Sequence, residues 1–70
     1  MSEGFVARGI YIAITESDGT KVSINTNNVT AIRDTLRGGS RIEFVGGIAL
    51  YANESMEKVT SMICGAINDA

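Results

Sequence analysis

The stretch RIEFVGGIALYANESMEKVTSMICGAI, residues 41–67, contains the change of period that decides the fold. Up to Tyr51 apolar and polar residues alternate, which is typical of a half-buried strand. After Tyr51 the apolar residues recur every three or four positions, which is typical of an amphipathic helix. This second group consists of Met56, Val59, Ile63, Ala66 and Ile67. Strands followed by one helix predict an α+β fold.

The helix is predicted over residues 54–67. Asn53 is expected to be its N-cap, because an Asn side chain can accept a hydrogen bond from the first turn. Glu54 and Glu57 are expected in that first turn, where the helix dipole favours acidic side chains. Cys64 lies near the apolar stripe and is predicted to pack in the core as a small hydrophobic residue.

Outward from this stretch, alternation predicts an antiparallel meander of about five strands over residues 9–52, with the helix packed on one face. The strands are expected at 10–15, 21–25, 29–36, 41–45 and 48–52, separated by segments rich in Asp, Asn and Gly. The residues predicted to face the helix are Ile10, Ile12, Ile14, Val22, Ile24, Ile32, Ile42, Phe44, Ile48 and Leu50. Residues 1–70 are expected to form a single small domain in which 1–8 is an N-terminal extension.

Composition excludes many chemistries. The chain of 70 residues has one cysteine and no histidine, so an internal disulfide, a His-ligated metal site and a His-dependent nucleophile are all ruled out. Six Lys and Arg against eight Asp and Glu give a net charge of −2, which argues against duplex nucleic acid as a partner. Neither a cofactor nor a metal site is predicted, and no apolar run approaches the roughly 20 residues of a membrane span. The unpaired thiol favours the cytoplasm.

One helix can cover only one face of the predicted sheet. The residues expected on the other face are mostly apolar: Val6, Tyr11, Ala13, Val45, Ala49 and Tyr51. A contiguous apolar face on so small a chain is typical of an interface, so we expect a homo-oligomer or a protein partner to cover it. The alternative for the tyrosines is to stack on a nucleobase.

The most basic segment runs from residue 33 to residue 41, Arg-Asp-Thr-Leu-Arg-Gly-Gly-Ser-Arg. Arginine side chains match phosphate or carboxylate oxygens, and glycines allow backbone N–H groups to approach an anion closely. The candidate anion-binding residues are Arg33, Arg37, Gly38, Gly39, Ser40 and Arg41. The alternative is that these are solvated charges at a hairpin tip, which also discourage edge-to-edge aggregation. The glycines match neither a P-loop nor a dinucleotide fingerprint.

Four short patterns resemble the FlbD/SwrD group of small flagellar-operon proteins over about residues 10–63. They are Ile10-x-Ile12-x-Ile14-Thr15 with Asp18-Gly19, Asn25…Val29-x-x-Ile32, Ser40-x-Ile42-x-Phe44-x-x-Gly47, and Glu54-Ser55-x-Glu57-x-Val59…Ile63. The sequence departs from that family in the middle turn, where Asp34-Thr35 lacks a preceding proline and an Arg-Gly-Gly insertion follows. Residues 1–8 are also additional. The resemblance implies a non-catalytic accessory protein and brings no catalytic residues with it.

Two functions therefore remain open, and neither is enzymatic. The first is a binding or adaptor protein that works as a homo-oligomer through protein contacts. The second is a small-ligand binder that captures an anionic metabolite or nucleotide, as a phage-type sequestering protein would, through Arg33, Arg37 and Arg41.

Overall fold

The computed structural model describes residues 9–69 and confirms the α+β fold. Five strands precede one helix: β1 Tyr11–Thr15, β2 Lys21–Asn25, β3 Val29–Asp34, β4 Ser40–Phe44, β5 Ala49–Ala52 and α1 Met56–Asp69. A short 3₁₀ turn, Thr26–Asn28, connects β2 to β3. The Asn25 side chain accepts a hydrogen bond from the Asn27 N–H at its start, as expected for an Asn-rich corner.

The five strands form two antiparallel sheets rather than one continuous meander. β1 pairs with β2, and β4 lies between β3 and β5. In the three-stranded sheet Ile32, Ile42 and Leu50 stand opposite one another in a single cross-strand row. The 3₁₀ turn separates β2 from β3, so the consecutive pairing of a meander is interrupted there.

A short junction between the end of β1 and the end of β5 joins the two sheets. Glu16 and Ala52 form an isolated antiparallel bridge. On either side of it, the Ser17 N–H donates to the Tyr51 carbonyl at 3.0 Å and the Asn53 N–H donates to the Thr15 carbonyl at 2.7 Å. The Thr15 N–H donates to both carboxylate oxygens of Glu54, at 2.9 and 3.1 Å. We call this set of contacts the β1–β5 junction.

The core lies between the inner faces of the two sheets and α1. Its buried residues come from both sheets and the helix: Ile12, Ile14, Ile24, Ile42, Ala52 and Val59. Partly buried residues pack around them, namely Val22, Val29, Ile32, Phe44, Leu50, Met62, Ile63 and Ala66. Each fully buried isoleucine contributes on the order of 1.5–3 kcal/mol to folding. The inward positions predicted by alternation are thus confirmed for most of the strand residues.

The predicted strand ends were wrong at four apolar residues. Ile10 precedes β1 and Val45 follows β4, each one residue outside the observed strand. Leu36 was expected in the third strand, but it adopts a positive φ of 67° and its surface is 93% exposed, so β3 ends at Asp34. Ile48 was expected to face the core, but it is 67% exposed. The strand starts only at Ala49, since Gly46 and Gly47 both take positive φ and place Ile48 in the turn.

The predicted helix start was also wrong by two residues. Ser55, not Asn53, caps α1, because its Oγ accepts a hydrogen bond from the Lys58 N–H at 3.1 Å. Glu57 lies in the first turn as expected, whereas Glu54 precedes the helix.

The prediction that Cys64 packs in the core was wrong too, since Cys64 is exposed. At about 100° per residue it lies roughly 140° around the helix from the buried Val59.

The β1–β5 junction predicts a pH dependence of stability. Partial burial raises the pKa of the Glu54 carboxyl, but the hydrogen bonds from Thr15 and from the Glu54 backbone, together with the charge of Lys21, outweigh burial and leave the pKa below its ordinary value. A carboxyl with a lowered pKa stabilises the fold above its unfolded pKa, near pH 4.3, and this contribution is lost as the pH falls through its folded pKa. We therefore expect Glu54→Gln to lower the free energy of unfolding at neutral pH by about 1 kcal/mol.

Urea unfolding at a series of pH values measures this effect. The gap between wild type and Glu54→Gln should close in acid, where both carboxyl and amide are neutral. Glu43 and Asp18 also have lowered pKa values, because of hydrogen bonding from Arg33 and Thr20 respectively, so the difference between the two proteins isolates Glu54. The matched control is Glu57→Gln on the exposed side of α1, which leaves the Thr15 contact intact and should show only the smaller pH dependence of an acid in the first helical turn. A gap that is independent of pH would contradict this role for Glu54.

Candidate functional site

An open cleft of about 700 Å³ lies beside the β1–β5 junction. Three segments line it: the β3–β4 turn, the end of β5, and the start of the β1–β2 turn. The lining residues are Ser17, Thr35, Arg37, Gly38, Gly39, Ser40, Tyr51, Ala52 and Asn53. We call this the Arg37 cleft. Its volume falls within the range of roughly 300–1,000 Å³ that is typical of small-molecule sites.

The floor of the cleft is held by hydrogen bonds and by close packing of the backbone. The Ser40 side chain is fully buried, and its Oγ donates to the Glu54 carbonyl at 2.9 Å. The Thr35 Oγ1 donates to the Gly39 carbonyl at 3.0 Å, which closes the turn. Gly39 packs so tightly against the Ala52 carbonyl oxygen that a Cβ there would collide with it. Three bonded or packed contacts therefore fix the loop that carries Arg37.

Other polar groups of the cleft have no partner in the part of the chain that the structure describes. Within residues 9–69, the Arg37 guanidinium, the Ser17 hydroxyl and the Asn53 amide make no hydrogen bond or ion pair, and neither do the N–H groups of Gly38 and Gly39. Arg37 is the charged side chain among the lining residues. The cleft therefore combines a cation with unsatisfied hydrogen-bond donors.

Two of the predicted anion ligands lie elsewhere, on the outer face of the three-stranded sheet. Arg33 and Arg41 are cross-strand partners on β3 and β4. The Arg33 Nε donates to Glu43 Oε2 at 2.7 Å, and Arg41 Nη1 bonds the same oxygen. Hydrogen bonding from Arg33 holds the pKa of the Glu43 carboxyl below its ordinary value. Neither of these two arginines lines the Arg37 cleft, so they do not join Arg37 in one site.

The structure also separates the residues predicted to form one apolar face. Ala49 and Tyr51 lie on the outer face of β5, and Val45 lies in the turn before it, 62% exposed. Tyr11 and Ala13 are on β1, five and three residues before the Glu16 bridge, or about 16 and 10 Å of extended chain. Tyr11 is half-buried, and its hydroxyl accepts a 3.5 Å hydrogen bond from Asn25. Val6 lies outside the described residues.

Sequence reasoning missed Ser17, Thr35 and Asn53 as cleft residues. They are polar residues of common types in separate turns, and only the β1–β5 junction brings Ser17 next to Tyr51. Asn53 was predicted to be a helix cap, but its side chain is free of the helix and lines the cleft instead. No local spacing in the sequence marks these three positions.

The sequence and the fold were compared with known proteins. No protein-family model matches the sequence, and neither a curated protein nor a solved structure shows significant similarity to it.

Across residues 9–69, no group of three or more His, Cys, Asp or Glu side chains is arranged to hold a metal ion. Over the same part of the chain, no helix combines the length and apolarity needed to cross a bilayer.

Two glycine-to-alanine substitutions should change stability in opposite directions. Gly39→Ala should lower the free energy of unfolding by about 1–3 kcal/mol, because the new methyl group collides with the Ala52 carbonyl. Gly65→Ala in α1 should raise it by up to about 1 kcal/mol, because the space around Gly65 is open and alanine favours a helix.

Chemical unfolding monitored by circular dichroism measures both values, and wild type is the common reference. Gly65→Ala is the control for Gly39→Ala, since both variants add the same methyl group. If Gly39→Ala were neutral, the tight packing of the β3–β4 turn against β5 would be refuted.

Proposed function

We propose that the protein is a non-catalytic binding or adaptor module of the cytoplasm that works as a homo-oligomer through protein contacts. The observation that carries the proposal is a set of apolar side chains left in water at one edge of the sheet. Val45, Ile48 and Tyr51 are 62%, 67% and 55% exposed. Val45 and Ile48 lie in the β4–β5 turn, whereas Ala49 and Tyr51 lie on β5, and we call these four residues the β5 stripe.

The helix does not cover the β5 stripe. α1 packs against β1, β3 and β4, on the side where Ile42 and Val59 are buried. Ala49 and Tyr51 lie on the opposite side of β5 from Leu50, because successive strand residues face opposite ways. Exposed apolar surface of this kind is stabilised when another molecule covers it.

The surface beside the stripe is suited to a second copy of the same chain. A two-fold interface has to be self-complementary, because the same patch faces itself. Arg41 stands opposite Tyr51 in the sheet, and Arg41 and Arg33 share Glu43. The patch thus has apolar residues flanked by both signs of charge, so arginines of one copy can face Glu43 of the other.

Two further features support a non-catalytic binding module of the cytoplasm. Cys64 is exposed and free, which suits a reducing compartment. The resemblance to the FlbD/SwrD family stays a prediction, and it implies the same kind of activity, namely protein contacts without catalysis.

Sedimentation equilibrium at micromolar concentration tests the proposal. We expect wild type to associate, and Val45→Glu with Ile48→Glu to weaken association by about 100-fold or more, because the interface would bury unpaired charges. Both residues are more than half exposed, so the free energy of unfolding of the monomer should change by only about 0.5 kcal/mol.

Leu36→Glu provides the matched control. Leu36 is 93% exposed but lies in the β3–β4 turn, at the other end of the sheet from Val45. Its substitution should leave the association constant unchanged. A wild-type protein that is folded and monomeric throughout the concentration range would overturn the proposal, as would equal loss of association in both variants.

A further inference from the structure

We propose that the Arg37 cleft binds a small phosphomonoester that carries a planar ring, of the class of the nucleoside monophosphates. This inference goes beyond the homo-oligomer and concerns a different set of residues, although the Arg37 cleft shares Tyr51 with the β5 stripe. It also replaces the ligand set expected from the sequence, because it assigns the phosphate to Arg37 and not to Arg33 or Arg41.

The first argument is electrostatic. Arg37 has no ion pair within residues 9–69, whereas Arg33 and Arg41 are both held by Glu43. The lining of the cleft contains no carboxylate side chain, so a bound anion meets a cation without an acidic competitor. A guanidinium presents its N–H donors in a planar fork that fits two oxygens of one phosphate.

The second argument concerns the backbone of the β3–β4 turn. The N–H groups of Gly38 and Gly39 make no hydrogen bond within the described chain, and Gly38 has a positive φ of 96°. Turns with unpaired successive N–H groups provide concave sites for anions. A carboxylate has two oxygens, which the Arg37 fork alone can occupy. A phosphate monoester has three terminal oxygens, so it can use the fork and an N–H group together.

The third argument concerns the rest of the ligand. Tyr51 is more than half exposed and lines the same cleft, and Ser17 and Asn53 add a hydroxyl and an amide that have no partner within residues 9–69. An exposed aromatic ring can stack on a base, which is worth about 1–3 kcal/mol where such contacts have been measured. The Asn53 amide can form hydrogen bonds with polar atoms at the edge of that base. A lining that contains both a cation and an aromatic ring favours a ligand with an anionic part and a planar part.

The site is also prepared before any ligand binds. Thr35 closes the turn through the Gly39 carbonyl, and the buried Ser40 hydroxyl ties the turn to the Glu54 carbonyl. Ser17 is fixed by its N–H bond to the Tyr51 carbonyl. Because these segments are already held, less ordering entropy is lost on binding than in a free loop.

Titration of the ¹⁵N-labelled protein with adenosine 5′-monophosphate tests the inference. We expect saturable shifts of the Gly38 and Gly39 amide signals, and at least about a tenfold loss of affinity in Arg37→Gln. Arg33→Gln is the matched control, since it removes the same charge outside the cleft, and it should bind with the affinity of wild type. Inorganic phosphate and adenosine should each bind more weakly than the monophosphate.

Several outcomes would overturn the inference. They are the absence of saturable shifts at millimolar adenosine 5′-monophosphate, equal losses in Arg37→Gln and Arg33→Gln, and equal affinity for inorganic phosphate and the nucleotide. Arg37→Gln should leave sedimentation unchanged, because Arg37 is not part of the β5 stripe. Failure of the cleft proposal is therefore distinguishable from failure of the homo-oligomer proposal.

Discussion

The rest of the structure depends on the β1–β5 junction. Within residues 9–69 the two small sheets have no ladder in common along their length, and the backbone hydrogen bonds that join them are at the Glu16–Ala52 bridge and its flanks. The Glu54 carboxylate closes this junction on the Thr15 N–H, one residue before the Ser55 cap begins α1. The same few residues therefore join the sheets and fix where the helix starts. They help to hold the buried residues of β1 and β4 in one core with Val59 of α1.

The junction also explains why the cleft exists where it does. A bridge of one residue pair brings the β1–β2 turn against β5 without sealing the space beside the β3–β4 turn. Gly39 lets that turn approach Ala52, while Gly38 and Arg37 remain at its rim. The cleft is thus a consequence of how the sheets meet, and its polar groups come from three turns that are far apart in the sequence.

Periodicity predicted the elements and most of the core, because burial on one face imposes a period that the sequence has to repeat. Ile14, Ile42 and Val59 were predicted to be inward and are fully buried. The errors fall where another constraint overrides the period. Ile48 has the right spacing for the core, but two glycines of positive φ place it in a turn. Cys64 lies near the apolar stripe in sequence but more than a third of a turn from its centre.

The candidate site was harder to predict than the core. Whether an arginine is free to bind an anion depends on its ion-pair partners, and tertiary structure decides which residues those partners are. Three arginines within nine residues resemble one anion site in the sequence. Strand pairing places Arg33 opposite Arg41 and brings Glu43 to both, so the carboxylate, and not the density of arginines, decides which cation is available. Arg37 differs from Arg33 and Arg41 because it lies in the β3–β4 turn, outside the paired strands, and the ion pairs of Glu43 are with the other two arginines. A basic stretch in a sequence therefore becomes a site only where the fold leaves one of its charges without a partner.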